Sequence, residues 1–272
     1  MSEFDFLSSA AIGQYIPTGS VLHKLEPRTK LIGFIILILA VTFSRTAQGI
    51  GVGLLAAIFG LLIARVPIRF ALKGLLYPLP FLVIIAILQV FLYPGLDTVP
   101  IFVIGPLRLT MAGIWSGVLI ILRFIALILS LSLLSYCLST SEMIHGLQKL
   151  LSPLNRLGIH AMDLVMVVQV SLRFLPFLAQ SAERIAKAQA SRGAEWGVKS
   201  RGLISRVKQV VPLIIPLITT SLQRAETMAL AMDARVYGYK DERTSMFVYT
   251  FNWRDALFLL FVVLIALAVF FI

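Results

Sequence analysis

Charge is scarce in this chain, and acidic charge scarcest: 13 Asp and Glu stand against 24 Lys and Arg, and together they make up 14% of the 272 residues. Ordinary soluble domains carry about 25% charged residues. Cysteine is nearly absent. Cys137 stands alone, which excludes an intrachain disulfide and a multi-cysteine metal site. The three histidines, His23, His145 and His160, are too scattered in sequence for a histidine cluster. No Gly-x-x-x-x-Gly-Lys-Ser/Thr loop is present to hold nucleotide phosphates, so any ATP must be handled elsewhere. Paired carboxylates inside the apolar runs are missing too, which weakens a proton-coupled transporter.

What is abundant is apolar sequence: 59% of residues are hydrophobic and the mean hydropathy is +0.94, the composition of an integral membrane protein. A span needs about 20 apolar residues. Five regions approach that length, at residues 31–43, 50–64, 75–92, 111–138 and 256–272. The first two are short, which leaves three arrangements open: little tilt, borrowed flanking residues, or a tight hairpin around 44–49; Gly49, Gly51, Gly53 and Gly60 would allow close helix packing. The net charge of +11 reads first as Lys and Arg gathered on cytoplasmic segments, not as a nucleic-acid surface. With the N-terminus in the cytoplasm, Lys24, Arg28, Lys30, Arg65, Arg69 and Lys73 lie inside, and only Arg45 and Arg108 fall in outer loops. Lys24, Arg28 and Lys30 read as a juxtamembrane cluster for lipid headgroups. The opening residues 1–20 are polar, with Glu3 and Asp5, and lack the marks of a cleaved signal. The C-terminus is expected outside. Arg123, inside the fourth apolar region, is functional, paired with another helix, or the sign of a displaced span boundary.

The stretch 139–254 carries two further apolar segments, 164–178 and 210–222. A membrane hairpin made from them would export Arg184, Lys187, Arg192, Lys199, Arg201, Arg206 and Lys208 against only Glu183 and Glu195. Gln169, Arg173, Pro176, Pro212 and Pro216 also suit a lipid-facing span poorly. The expectation is two long amphipathic helices in or under the inner leaflet. A shorter helix should precede them, capped by Ser141, with Glu142 in its first turn and Ser152-Pro153 at its end. The expected class is an all-α integral membrane protein. Residues 1–138 hold four transmembrane helices, 139–254 the cytoplasmic helices and 255–272 a fifth span.

One pattern occurs twice in that cytoplasmic stretch: Ala-Glu-x-x-Ala-x-Ala-x-x-x-Arg runs from Ala182 to Arg192 and again from Ala225 to Arg235. Each arginine sits between Ser191 and Gly193 or between Ala234 and Val236. A guanidinium offers a rigid fork of donors to a partner's carboxylates and carbonyls, and small neighbours allow close approach. An arginine in a last turn also complements the helix dipole, a bland role worth about 0.3–1 kcal/mol. Ala182, Ala186 and Ala225, Ala229 recur at i, i+4, which favours either close packing of the two helices or simply helix formation. Glu183 and Glu226 are too far from their own arginines to pair along the helix. A nearby base such as Lys187, or a partner subunit, is their alternative. His160 and Asp163 fit a helix start.

These residues carry a family resemblance. The run from Thr18 to Leu31, the stretch from Ser171 to Phe177, and the two segments 182–193 and 224–238 resemble the transmembrane T component of energy-coupling factor ABC transporters, an EcfT/CbiQ-like scaffold. Val236 departs from the small residue expected after the second arginine. The resemblance implies a non-catalytic coupling subunit of an ATP-driven importer in a prokaryotic cell membrane. It implies two ABC ATPase subunits, identical or different, and a small substrate-binding membrane S component that carries a vitamin or transition metal. ATP and Mg would be used by the ATPases, and no cofactor by this chain. Ser191, Arg192, Gly193, Ala234, Arg235 and Val236 would dock the ATPases, and Glu183 and Glu226 would support the coupling helices. Apolar surfaces along 162–177 and 207–222 would hold the S component. The competing readings are a conventional permease with its own substrate path and a membrane enzyme acting on lipid.

Overall fold

In the computed structural model, the residues described are 15–44, 46–92, 102–104, 107–153, 161–193, 203–239 and 249–271. Glu3, Asp5, Arg45, His160, Glu195, Lys199 and Arg201 lie outside them. The chain is an all-α membrane protein, with one short antiparallel pair as its only strands among the described residues: β1 (Phe102–Ile104) and β2 (Leu107–Leu109). It divides into two units, one of residues 13–157 and 249–272 and one of residues 158–248 with 1–12.

The first unit opens with a 3-10 turn (Leu22–Lys24), then α1 (Pro27–Phe43), α2 (Ala47–Ile63), α3 (Ile68–Leu76), α4 (Leu79–Leu92), α5 (Met111–Cys137), α6 (Thr140–Leu151) and, after the second unit, α9 (Trp253–Phe271). Starts are set by local chemistry. Pro27 occupies the first turn of α1, where its missing N–H costs nothing. Thr46 and Thr110 accept from the N–H of Gly49 and Gly113 to cap α2 and α5. The cap of α6 is Ser139, not Ser141. Its hydroxyl takes the N–H of Glu142 at 3.2 Å while Glu142 Oε2 takes the N–H of Ser139 at 3.2 Å, a reciprocal box that Ser141 has no partner three residues on to form.

The apolar region 75–92 is not one straight rod. It breaks at Tyr77-Pro78 into α3 and α4, bent by 61°. α5 and α9 are long and apolar enough to cross a membrane, and so is Asp163–Ser191 in the second unit. The bent pair makes a fourth candidate, and Ala47–Ile63 is apolar but shorter. The first unit packs around Phe34, Ala57, Leu61, Leu129, Leu133 and Tyr136. Leu55, Phe59, Leu62, Ile84, Leu260 and Leu264 face outward, as lipid-facing residues do. Without a hydrophobic drive between helices in lipid, contact relies on close fit and polar bonds. Gly60 lies against Leu133 and Gly53 against Val41, where a Cβ would come within 2.5 Å. Gly49 meets the carbonyl of Val269, whereas Gly51 faces open space. Arg123, midway along α5, donates from Nη2 to the carbonyl of Ser44 at 2.5 Å, so it caps the C-terminus of α1.

Polar bonds concentrate at the N-terminal end of α1. Lys30 is fully buried, and its ammonium donates to the carbonyls of His23 (2.7 Å) and Cys137 (3.3 Å) and to Glu142 Oε2 (3.1 Å). The expected headgroup cluster is therefore corrected. Lys24 is exposed, but Arg28 pairs with Glu26 at 2.7 Å and Lys30 locks α1 to α5 and α6. Asp255 joins two more helix starts, taking the N–H of Glu26 on Oδ1 and that of Asn252 on Oδ2, both at 2.8 Å.

The second unit consists of α7 (Ala161–Ser191) and α8 (Leu203–Asp233), each 31 residues long. Pro176 lies inside α7, and Pro212 and Pro216 lie inside α8.

Candidate functional site

The two repeated motifs fold into the same local object, a helix C-terminus. At the end of α7, Gly193 donates to the carbonyl of Ala190 at 3.0 Å and adopts φ +87°. At the end of α8, Val236 donates to Asp233 at 2.8 Å and Tyr237 to Met232 at 3.0 Å, with Val236 at φ +55°. That pair of bonds is a Schellman closure with a left-handed residue just after the cap. In both copies the arginine is the cap and the next residue carries positive φ. The trailing small residue thus has a backbone reason: glycine takes this conformation freely, whereas a side chain here costs about 1–2 kcal/mol. Val236 bears that strain.

Ser191, Arg192 and Gly193 are exposed, as are Ala234, Arg235 and Val236. Neither arginine has an ion pair among the described residues. Glu183 pairs with Lys187, one turn on, at 2.5 Å, the local partner its spacing allows. Glu226 is exposed on α8 and has no ion pair among the described residues.

The C-terminal half of α8 lies along the N-terminal half of α7. A groove of about 500 Å³ is lined by Met166, Val170, Phe174, Met228 and Met232. A second groove, about 540 Å³, brings Arg235 together with Arg173, Arg224, Phe174 and Phe177. Arg224 sits 5.0 Å above the Phe177 ring, a cation–π contact that fixes the crossing. Two consequences follow for the expected site. Ala225 and Ala229 line the first groove with Val170 and Leu178, so their partner is the apolar half of α7, not the Ala182, Ala186 stripe. Arg192 stands nineteen residues beyond Arg173 on the same chain, roughly 28 Å along a helix axis. The two motif arginines therefore form separate contact points.

Arg173 and Arg224 are the members that sequence reasoning missed. In the sequence they read as charges interrupting apolar runs. Their spacing signals nothing until the helices cross. The three guanidiniums share one aromatic-floored groove that no acidic side chain lines among the described residues. Such a surface suits carboxylates or carbonyls of a partner.

Comparison with known proteins is consistent over nearly the whole chain. Residues 18–246 match the family described as cobalt transport protein, CbiQ. The chain is 34% identical over 249 residues to the energy-coupling factor transporter transmembrane protein EcfT of Heliobacterium modesticaldum, covering 92% of each. It is 33% identical over 266 residues to the EcfT of Bacillus subtilis, covering 98% of this chain and 99% of that one. The EcfT of Brevibacillus brevis is 35% identical over 254 residues, covering 92% and 93%. With paired arginine-capped helix ends, an apolar helical unit and these relatives in agreement, the chain belongs to the CbiQ/EcfT family of transmembrane components of energy-coupling factor transporters.

Proposed function

We propose that this chain is the non-catalytic scaffold of an ATP-driven importer, linking two cytoplasmic ABC ATPases to a small substrate-binding membrane subunit that takes up a vitamin or a transition metal. The observation that carries the reading is the duplicated helix end, with Arg192 and Arg235 at the same cap position on two helices. Two equivalent tips suit two equivalent sockets, one on each ATPase. ATP and Mg belong to those partners. The apolar faces of α7 and α8 would hold the substrate-binding subunit by shape and hydrophobic contact.

This reading places α7 and α8 in or under the inner leaflet with their basic ends in the cytoplasm. Although Asp163–Ser191 is long and apolar enough for a span, Arg173 and Pro176 interrupt it, and its last turns carry Arg184 and Lys187. The test is co-purification in mild detergent of wild type and of a double Arg192→Glu, Arg235→Glu variant. Wild type should bring down P-loop ATPases and a small hydrophobic subunit, and the variant should lose the ATPases. A double variant that keeps normal ATPase docking and uptake defeats the assignment.

A further inference from the structure

Residues 158–248, which contain α7 and α8, are flanked in the first unit by two roots: α6, which precedes them, and the return at Tyr249. Those roots are tied together. Lys149 and Tyr249 are 100 residues apart in sequence, yet Lys149 Nζ donates to the carbonyl of Tyr249 at 2.7 Å. His145, one turn earlier on α6, sets its ring 5.9 Å from the Tyr249 ring. Two α6 side chains at i, i+4 thus hold one residue of the returning chain, one by its ring and one by its backbone.

The same ammonium also reaches Glu26 Oε1 at 3.3 Å, and Glu26 is 1% exposed at its side chain. From Glu26 the connection runs to both first turns: Glu26 is the residue before α1, and its N–H bonds to Asp255 in the first turn of α9. α6 is seated directly on α1, where a Cβ on Gly146 would come within 3.2 Å of the Pro27 backbone. Lysine fits this junction because its ammonium has three donors on a flexible stem and can serve a carbonyl and a carboxylate together. It is also partly solvated, with 36% of the side chain exposed, and Glu26 keeps Arg28 as a partner if Lys149 is removed. Loss of this contact therefore strands no buried charge. It leaves the ring contact of His145 with Tyr249 to hold the returning chain to α6.

We infer that Lys149 is a positioning residue for energy coupling, pinning both roots of the α7–α8 segment to the starts of α1 and α9 so that displacement of those helices reaches the membrane helices as one movement. This rests on the coupling role proposed above. The experiment uses the complete complex, with ATPases and substrate-binding subunit, in proteoliposomes that report ATP hydrolysis and substrate uptake together. Lys149→Met is compared with wild type and with Lys149→Arg. The Met complex should assemble and hydrolyse ATP within about twofold of wild type, while uptake per ATP falls at least about fivefold, the low end of typical coupling energies. Arginine, which keeps charge and donors, should recover most of that ratio. An unchanged ratio in the Met variant overturns the inference, as does a loss of uptake and hydrolysis in parallel with the amount of folded complex. If the Met variant fails to assemble, Lys149→Gln is judged by the same ratio. A wild-type chain that purifies without any ATPase defeats the coupling role itself, a result separable from these.

Discussion

Lys30 illustrates how one residue changes meaning once its neighbours are known. In sequence it is the third cation of a juxtamembrane cluster. In the fold it is buried and bonded to two carbonyls and Glu142. Removing one partner of a buried pair leaves the other without compensation, which costs about 3–5 kcal/mol. Lys30→Met should therefore cost roughly 3 kcal/mol, read as a clear drop in the detergent melting temperature. Lys24→Met, at an exposed position, should leave melting unchanged. Equal melting of the two variants would contradict the buried network. The motif ends give a paired prediction of opposite sign. Gly193→Val forces a β-branched residue into φ +87° with nothing within 4 Å to crowd it, so conformational strain alone should cost about 1–2 kcal/mol. Val236→Gly should relieve a similar strain and gain about 1 kcal/mol, less the extra freedom of an unfolded glycine. Melting of both single variants checks the pair. A destabilised Val236→Gly would mean that the valine side chain makes a contact worth more than its strain.

At the scale of elements, legibility followed the range of the interaction. Helix existence was readable because apolar runs and local caps are short-range. Among the described residues, the apolar regions named from sequence lie largely in helices, 75–92 as a bent pair, and Glu142 lies in the first turn of α6 as expected. The cap itself was misplaced by two residues, because both Ser139 and Ser141 precede the helix's apolar residues and only the reciprocal bond with Glu142 separates them. Glu183 with Lys187 was readable for the same reason, one turn apart on one helix. What sequence could not supply was pairing across distance. Lys30 with Cys137 spans 107 positions and Glu26 with Asp255 spans 229, and no local pattern marks either. The same holds within the candidate site. The arginine motifs were visible as a repeat, whereas the grouping of Arg173 and Arg224 with Arg235 depends on where α8 crosses α7.

For the whole molecule, the architecture turns on the side of the membrane on which the two ends of α7 lie. Length and composition alone admit Asp163–Ser191 as a span, because an 18-residue window of it is sufficiently apolar. Charge argues otherwise. A span would carry Arg173 within its apolar half and place Arg184, Lys187 and Arg192 at one end, so α7 and α8 as a hairpin would export a strongly basic segment. The two arrangements separate cleanly by labelling. With Cys137 replaced by alanine, single cysteines are introduced at Leu164 and Ala188, both exposed positions toward opposite ends of α7. A helix in or under the inner leaflet puts both on the cytoplasmic side. A membrane-impermeant maleimide should then leave both unlabelled in intact cells and label both in inverted vesicles. A spanning α7 would place the sites on opposite faces, with one labelled only from outside. That pattern would remove Arg192 and Arg235 from a common cytoplasmic compartment, or carry both out of it, and neither arrangement lets two cytoplasmic ATPases dock on two equivalent arginine-capped tips.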